Sequence, residues 1–175
     1  KVDYEPFHAA GPFIGNYIFE EAVKIVDLID EYGFDAIEMG HMMAWVFDSI
    51  ENGLLKPEEV GLSDKPVFNP YEFMPERDSL KNAKLAAELI NGLVNKSTPI
   101  LKIIAENGIR VSAKRLNEMF SDRVKATGKS FNDLVVYVAY GDSGYITPNF
   151  YWTPGMVAPM YILGRYWTNY SNTFM

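Results

Sequence analysis

Asp30-Glu31-Tyr32-Gly33-Phe34-Asp35 is the stretch on which the reading of this chain turns. It separates two segments of helical periodicity. Upstream, Ile18, Ala22, Ile25, Val26 and Ile29 fall on one face of a helix predicted over residues 18–32. Asn16 is placed to cap its start, with Glu20 and Glu21 in the first turn, and Gly33 supplies a left-handed stop. Downstream, Ile37, Met42, Trp45, Val46 and Ile50 trace the apolar stripe of a second helix over residues 35–52, with Asp35 as N-cap and Gly53 after the last turn. A helix, a tight glycine turn and a second helix predict a mainly α fold.

The rest of the chain extends that pattern. Residues 54–78 contain Pro57, Pro66, Pro70 and Pro75, which exclude a continuous helix or a central strand. They read as a long ordered loop, of the kind that has a function or lies against another domain. Helices are predicted again over 79–95, over 99–106 with Thr98 as cap and Pro99 at the first position, and over 112–127. Residues 134–140, Leu-Val-Val-Tyr-Val-Ala-Tyr, form the best strand candidate, and turn signals follow at Gly141-Asp142-Ser143-Gly144. At most a short strand pair is expected there. The aromatic tail from Phe150 to Met175 should hold one Pro-interrupted helix around 156–170. The organisation expected is a helix pair over 1–55, the Pro-rich loop over 54–78, and a second helical part with an aromatic tail over 79–175.

Composition excludes several classes of function. The 175 residues are 48% hydrophobic and 14% aromatic, enough for a sizeable core. The net charge of -7 argues against nucleic acid, whose binding needs cationic groups that displace counterions. It disfavours an anionic membrane surface for the same reason. No apolar run approaches the ~20 residues of a membrane-spanning helix. There is no cysteine, so this chain offers no thiolate to zinc or iron and forms no disulfide. His8 and His41 are the two imidazoles, too few for a multi-histidine metal site. A start at Lys1 without leader composition reads as a segment of a longer polypeptide.

Two local features carry possible chemistry. A helix C-terminus has partial negative charge and favours Lys or Arg, yet the first helix ends in Asp30 and Glu31, and Asp35 follows the glycine. In the plain reading Asp35 caps the next helix while Asp30 and Glu31 are solvated. In the sharper one the turn presents carboxylates to a ligand rich in N–H donors. A carboxylate can accept two parallel hydrogen bonds from a planar edge such as a guanidinium or a 2-aminopyrimidinone. The second feature is Tyr4-Glu5-Pro6, followed by Ala10-Gly11-Pro12 and Gly15, a rigid loop that would present Glu5.

Taken together these pieces resemble the tungsten-pterin aldehyde:ferredoxin oxidoreductase family. That family carries Tyr-Glu, a Gly-Pro loop, a helix, and then D-x-x-G-L-(C/D). Here the order is Tyr4-Glu5, Gly11-Pro12, Asp30-x-x-Gly33-Phe34-Asp35, Ile37-Glu38-Met39-Gly40 and Glu51-Asn52-Gly53-Leu54. Phe34 replaces the usual Leu. The stretches Ile103 to Ile109 and Ala113 to Leu116 look like a diverged part of the same family, whereas 137–170 resemble it faintly. The chain looks closest to the glyceraldehyde-3-phosphate branch. Arg110, Lys114, Arg115 and Arg165 are candidate phosphate contacts by charge alone, against the plain reading of solvated helix faces.

The resemblance implies oxidation of an aldehyde to an acid at a tungsten bis-pterin group, with a [4Fe–4S] cluster passing electrons to ferredoxin, in the cytoplasm. It implies that Asp30, Gly33, Phe34 and Asp35 bind the pterin, and that Glu5 is the proton-transfer or orienting carboxylate beside the metal. No residue of this chain is expected to ligate the metal. The cluster cysteines and a second pterin motif are expected on missing N- and C-terminal parts of the same polypeptide. The isolated chain is then expected to be inactive and to carry no cofactor. Two competing readings remain at this level. One is a helical interaction or scaffold domain whose Trp152, Tyr161, Tyr166 and Trp167 bind protein. The other is a small hydrolase with paired carboxylates, which lacks a recognisable nucleophile and base.

Overall fold

The computed structural model describes residues 4–135, 137–140 and 145–148. The chain divides into two units, 1–135 and 136–175. In the first run α1 (Tyr4–Ala9), α2 (Phe19–Glu31), α3 (Ala36–Glu51), α4 (Pro75–Asn95), α5 (Pro99–Met119) and α6 (Ser121–Thr127), with short 3-10 turns at Pro12–Ile14 and Pro57–Val60. In the second, β1 (Tyr137–Tyr140) and β2 (Tyr145–Pro148) pair antiparallel, Tyr140 opposite Tyr145. Fold class is as expected, mainly α with a short strand pair.

Helix α3 lies at the centre. Of the predicted stripe it buries Trp45, Val46 and Ile50, while Ile37 and Met42 are only half-buried; it also buries Met39, Gly40, His41, Met43, Ala44 and Phe47, so it is covered on nearly every face. The other helices bury one stripe each. In α2 the buried residues are Ala22, Ile25, Val26 and Ile29, the predicted set without Ile18. In α4 they include Ala83, Leu85, Ala86, Leu89, Ile90 and Leu93. Helix α1 crosses α3 closely because Gly40 has no side chain: a Cβ there would lie 2.5 Å from the Ala9 Cβ. The segment after α6 adds the fully buried Phe131 to the core, and the Trp45 indole N–H donates to its carbonyl at 2.9 Å.

Several sequence expectations need correction. Asn16 is not the cap of α2. Ile18 occupies that position, and buried Asn16 accepts the Ile18 N–H and donates to the Ala10 carbonyl, which shapes the turn before the helix. Helix α4 starts at Pro75, not at 79, because proline suits the first helical turn, where its missing N–H has no partner to lose. Pro57 opens a 3-10 turn in the same way. The loop expected over 54–78 thus holds a 3-10 turn and the first residues of α4, and side chains of α4 tie down the stretch between them. Buried Asn82 accepts the Val67 N–H and donates to the Val67 and Gly15 carbonyls, and Glu88 accepts both the Ser63 N–H and hydroxyl. The predicted helices over 99–106 and 112–127 are the two arms of α5, bent at Gly108 with φ 67, followed by α6. The helix expected around 156–170 lies outside the described residues.

Candidate functional site

The turn from α2 to α3 follows from its hydrogen bonds. The Gly33 N–H donates to the Asp30 carbonyl at 2.9 Å and the Phe34 N–H to the Ile29 carbonyl at 3.1 Å, the paired bonds of a glycine-terminated helix. Gly33 has φ 74, and no atom lies within 4 Å of where a Cβ would stand. Conformation, not space, requires glycine there. Asp35 then caps α3, its Oδ1 accepting the Glu38 N–H at 2.8 Å. The capping role is real, and it leaves the second carboxylate oxygen for another donor. Asp30 is exposed, one residue past the buried Ile29, and among the described residues no hydrogen bond or ion pair engages its side chain. The turn is tied to α4 by the Tyr32 hydroxyl, which donates to Asn91 at 2.7 Å.

Beside the turn is a cleft of about 270 Å³, lined by Phe34, Asp35, Glu38, Met39 and Met42 on one side, Leu93, Val94 and Lys96 at the end of α4, and Ala105 of α5. Its lining is mostly apolar, with the carboxylates of Asp35 and Glu38 on α3 and the ammonium of Lys96 at the end of α4. Asp35 lines this concave surface, whereas Asp30 is not among the lining residues and faces solvent. Glu38 has its pKa raised, first by partial burial against the cleft wall and second by the negative charge of Asp35. Lys96 has φ 49, and its ammonium pairs with Glu106 at 2.9 Å.

Glu5 lies in the first turn of α1, exposed, and not on a loop as its Pro and Gly neighbours suggested. Pro6 is tolerated because it falls within the first helical turn. The same helix carries His8, whose ring lies 5.5 Å from Tyr4 and 6.4 Å from Phe13; Phe13 in turn meets His41 edge-on at 5.1 Å. The His41 Nδ1–H donates to the Ile37 carbonyl at 2.7 Å. Burial lowers the pKa of both histidines, in His41 against the opposing influence of that carbonyl and of Asp35. The Glu5 helix and the carboxylate turn thus share one support, α3, which holds the first at Gly40 and begins with Asp35.

The sequence reading did not single out Glu38 as a site residue and missed Lys96 altogether. The signal for Glu38 was its position three residues after the Asp35 cap, where the two acids share one helical turn. For Lys96 it was Val94-Asn95-Lys96-Ser97-Thr98-Pro99, where one helix must end and another begin without a glycine. Lys114 and Arg115 are exposed on α5, and so is Arg110. Arg165, Trp152, Tyr161, Tyr166 and Trp167 lie outside the described residues.

Residues 1–141 match the family model for aldehyde ferredoxin oxidoreductase, domains 2 and 3. The chain belongs to the aldehyde ferredoxin oxidoreductase family. It is 44% identical over 172 residues to the glyceraldehyde-3-phosphate:ferredoxin oxidoreductase of Pyrococcus furiosus, covering 97% of this chain and 26% of that protein. It is 43% identical over 180 residues to an uncharacterized protein of Methanocaldococcus jannaschii, covering 99% of this chain and 29% of that one. A tungsten-containing aldehyde ferredoxin oxidoreductase of Pyrococcus horikoshii is 32% identical over 66 residues, 38% of this chain. The chain thus spans between a quarter and a third of the length of the two relatives it matches end to end. No solved structure gives a significant match. In this family member no helix among the described residues is long and apolar enough to cross a membrane.

Proposed function

We propose that the polypeptide to which this chain belongs oxidises an aldehyde to an acid at a tungsten bis-pterin group and passes the electrons through a [4Fe–4S] cluster to ferredoxin, in the cytoplasm. We propose glyceraldehyde-3-phosphate as the aldehyde. The 44% identity to a relative named for that substrate supports the choice. The observation that carries the reading is the Asp30 to Asp35 turn, which displays two carboxylates around a left-handed glycine within a stretch that matches the family.

The residues present fit the organic part of that group. Asp30 has its full accepting capacity and Asp35 has one oxygen beyond its cap, so both can take N–H donors from a pterin edge. Phe34 lines the adjoining apolar cleft, where a planar ring can lie. Among the described residues no group of three or more His, Cys, Asp or Glu could hold a metal. When bound, the tungsten–pterin group supplies the two-electron oxidation. The Glu5 carboxylate, exposed on α1, is the proton-transfer or orienting group near the substrate oxygen, and takes a proton from the water whose oxygen the aldehyde gains. The cluster cysteines belong to other parts of the polypeptide, and the isolated chain is inactive.

Full-length protein purified without oxygen should contain tungsten, iron and pterin, and should reduce ferredoxin when given a phosphorylated aldehyde. Protein free of tungsten, or metallated protein that oxidises no aldehyde, would contradict the reading. Glu5→Gln should lower kcat by ~10²–10⁴-fold with metal content unaltered; wild-type kcat would remove Glu5 from the mechanism.

A further inference from the structure

We infer that Lys96 is an anion-binding residue of the cleft beside Asp35, and that it contacts a phosphate group on the molecule that occupies it; this rests on the cofactor and phosphorylated-aldehyde reading given above. The first observation is conformational. Lys96 is the non-glycine residue with positive φ among the described residues, while Gly15, Gly33, Gly53, Gly61, Gly108 and Gly128 fill the other such positions. It closes α4 with the bonds that close α2: its N–H donates to the Leu93 carbonyl at 3.2 Å, and the Ser97 N–H to the Gly92 carbonyl at 3.0 Å. A glycine would make the same turn without placing a Cβ against the backbone. What glycine would lack is the ammonium.

The second observation is placement. Lys96 lines the cleft from the end of α4, and Asp35 and Glu38 line it from the start of α3, with Met39, Met42 and Leu93 among the apolar residues they share it with. A ligand seated there meets acceptors for N–H groups from one element and a cation from the other. A heterocycle with a donor edge and a phosphate has that polarity, and so does a phosphorylated aldehyde lying beside such a ring. The ion pair with Glu106 does not account for the residue. Its side chains are 47% and 43% exposed, a setting in which a pair contributes little, and pairing does not call for a left-handed backbone. Exposed partners of this kind exchange readily for a more strongly charged ligand.

The test uses full-length protein purified without oxygen, as wild type, Lys96→Gly, Lys96→Arg and Glu106→Gln. Three quantities are read: tungsten and pterin per chain, KM for a phosphorylated and an unphosphorylated aldehyde, and the unfolding temperature of the apoprotein. Lys96→Gly should unfold no earlier than wild type. If the phosphate is the cofactor's, its pterin and tungsten content under limiting supply should fall on the order of tenfold, the effect of ~1.4 kcal/mol. If the phosphate is the substrate's, content should hold, and KM should rise by a similar factor for the phosphorylated aldehyde alone. Lys96→Arg should restore most of either loss, and Glu106→Gln should cause neither. Wild-type content and KM in Lys96→Gly would overturn the inference, as would a Glu106→Gln variant that copies the loss. A wild-type protein with no tungsten–pterin group and no aldehyde oxidation would overturn the earlier reading and this inference with it; a competent wild type with an unchanged Lys96→Gly overturns this inference alone.

Discussion

Helices α2 and α4 end in the same backbone turn, with the same pair of hydrogen bonds, but one turns on Gly33 and the other on Lys96. Both turns border one cleft, through Phe34 and Asp35 at the first and Lys96 at the second. At Gly33 the turning residue is bare, and the charged groups flank it at Asp30 and Asp35. At Lys96 the turning residue itself carries the charge. The hydrogen bonds set the turn in both cases, so the residue at its apex is free to follow some other demand. Where glycine stands, ease of conformation decides. Where lysine stands, a side chain is held in a backbone region that most side chains avoid.

That contrast can be broken in several ways. The largest effect should come from a glycine outside either turn. Gly40→Ala would put a methyl group 2.5 Å from the Ala9 Cβ and 2.8 Å from its carbonyl oxygen, an overpacking that costs about 1–3 kcal/mol in denaturant unfolding. Gly33→Ala meets no atom within 4 Å, so its cost should be the conformational one alone, about 1–2 kcal/mol. If Gly33→Ala cost nothing, positive φ would not be the constraint at that turn. Lys96→Gly should have the opposite sign, a gain of about 0–1 kcal/mol once the greater freedom of unfolded glycine is subtracted. A clear loss there would show that the lysine stabilises its own turn.

The smallest effect concerns Glu38, which stands between the two turns. Its pKa is raised in the fold, so the folded state binds the proton more tightly than the unfolded chain does. The stabilisation this gives is present in full below the unfolded value of 4.5 and is lost as pH rises through the higher folded value. At neutral pH the ionised side chain is therefore unfavourable. Glu38→Gln should raise the unfolding temperature at pH 7 and leave it nearly unchanged at pH 4. A gain that persists at pH 4 would point to packing and not to charge.

The fold was legible where periodicity was strong and its punctuation unambiguous. The stripe of Ala22, Ile25, Val26 and Ile29, the Asp35 cap and the Gly33 stop all stand where residue type and spacing placed them. Helix α3 was harder, because it is covered almost all round and a single stripe underestimates it. Proline was the main source of error. Pro75 looked like a breaker and is a starter, since its effect depends on whether the residue precedes or lies within the helix. The motif Asp30-x-x-Gly33-Phe34-Asp35 was legible as a turn, and its two acids proved unlike each other, one in the cleft and one in solvent. Glu5 was placed on a loop because Pro6 follows it, yet a first helical turn accommodates that proline. Lys96 was invisible to pattern reading, because a left-handed residue with a side chain leaves no mark in the sequence except a missing glycine.

Asp35 separates the capping role of the turn from its proposed role as a cofactor acceptor. Asparagine caps a helix as well as aspartate does, so Asp35→Asn should keep the bond to the Glu38 N–H and keep α3 intact. It removes the charge and, with the amide oxygen kept on the cap, puts an N–H donor where the second carboxylate oxygen stood, so nothing is left there to accept from a pterin edge. The decisive measurement is the tungsten content per chain of full-length Asp35→Asn purified without oxygen under limiting tungsten, beside its unfolding midpoint. The account predicts an unchanged midpoint and a tungsten content reduced at least fivefold, because a pterin N–H buried on binding would lose its acceptor at a cost of ~1–3 kcal/mol. Wild-type tungsten content in a stably folded Asp35→Asn protein would contradict it and leave Asp35 as a helix cap alone.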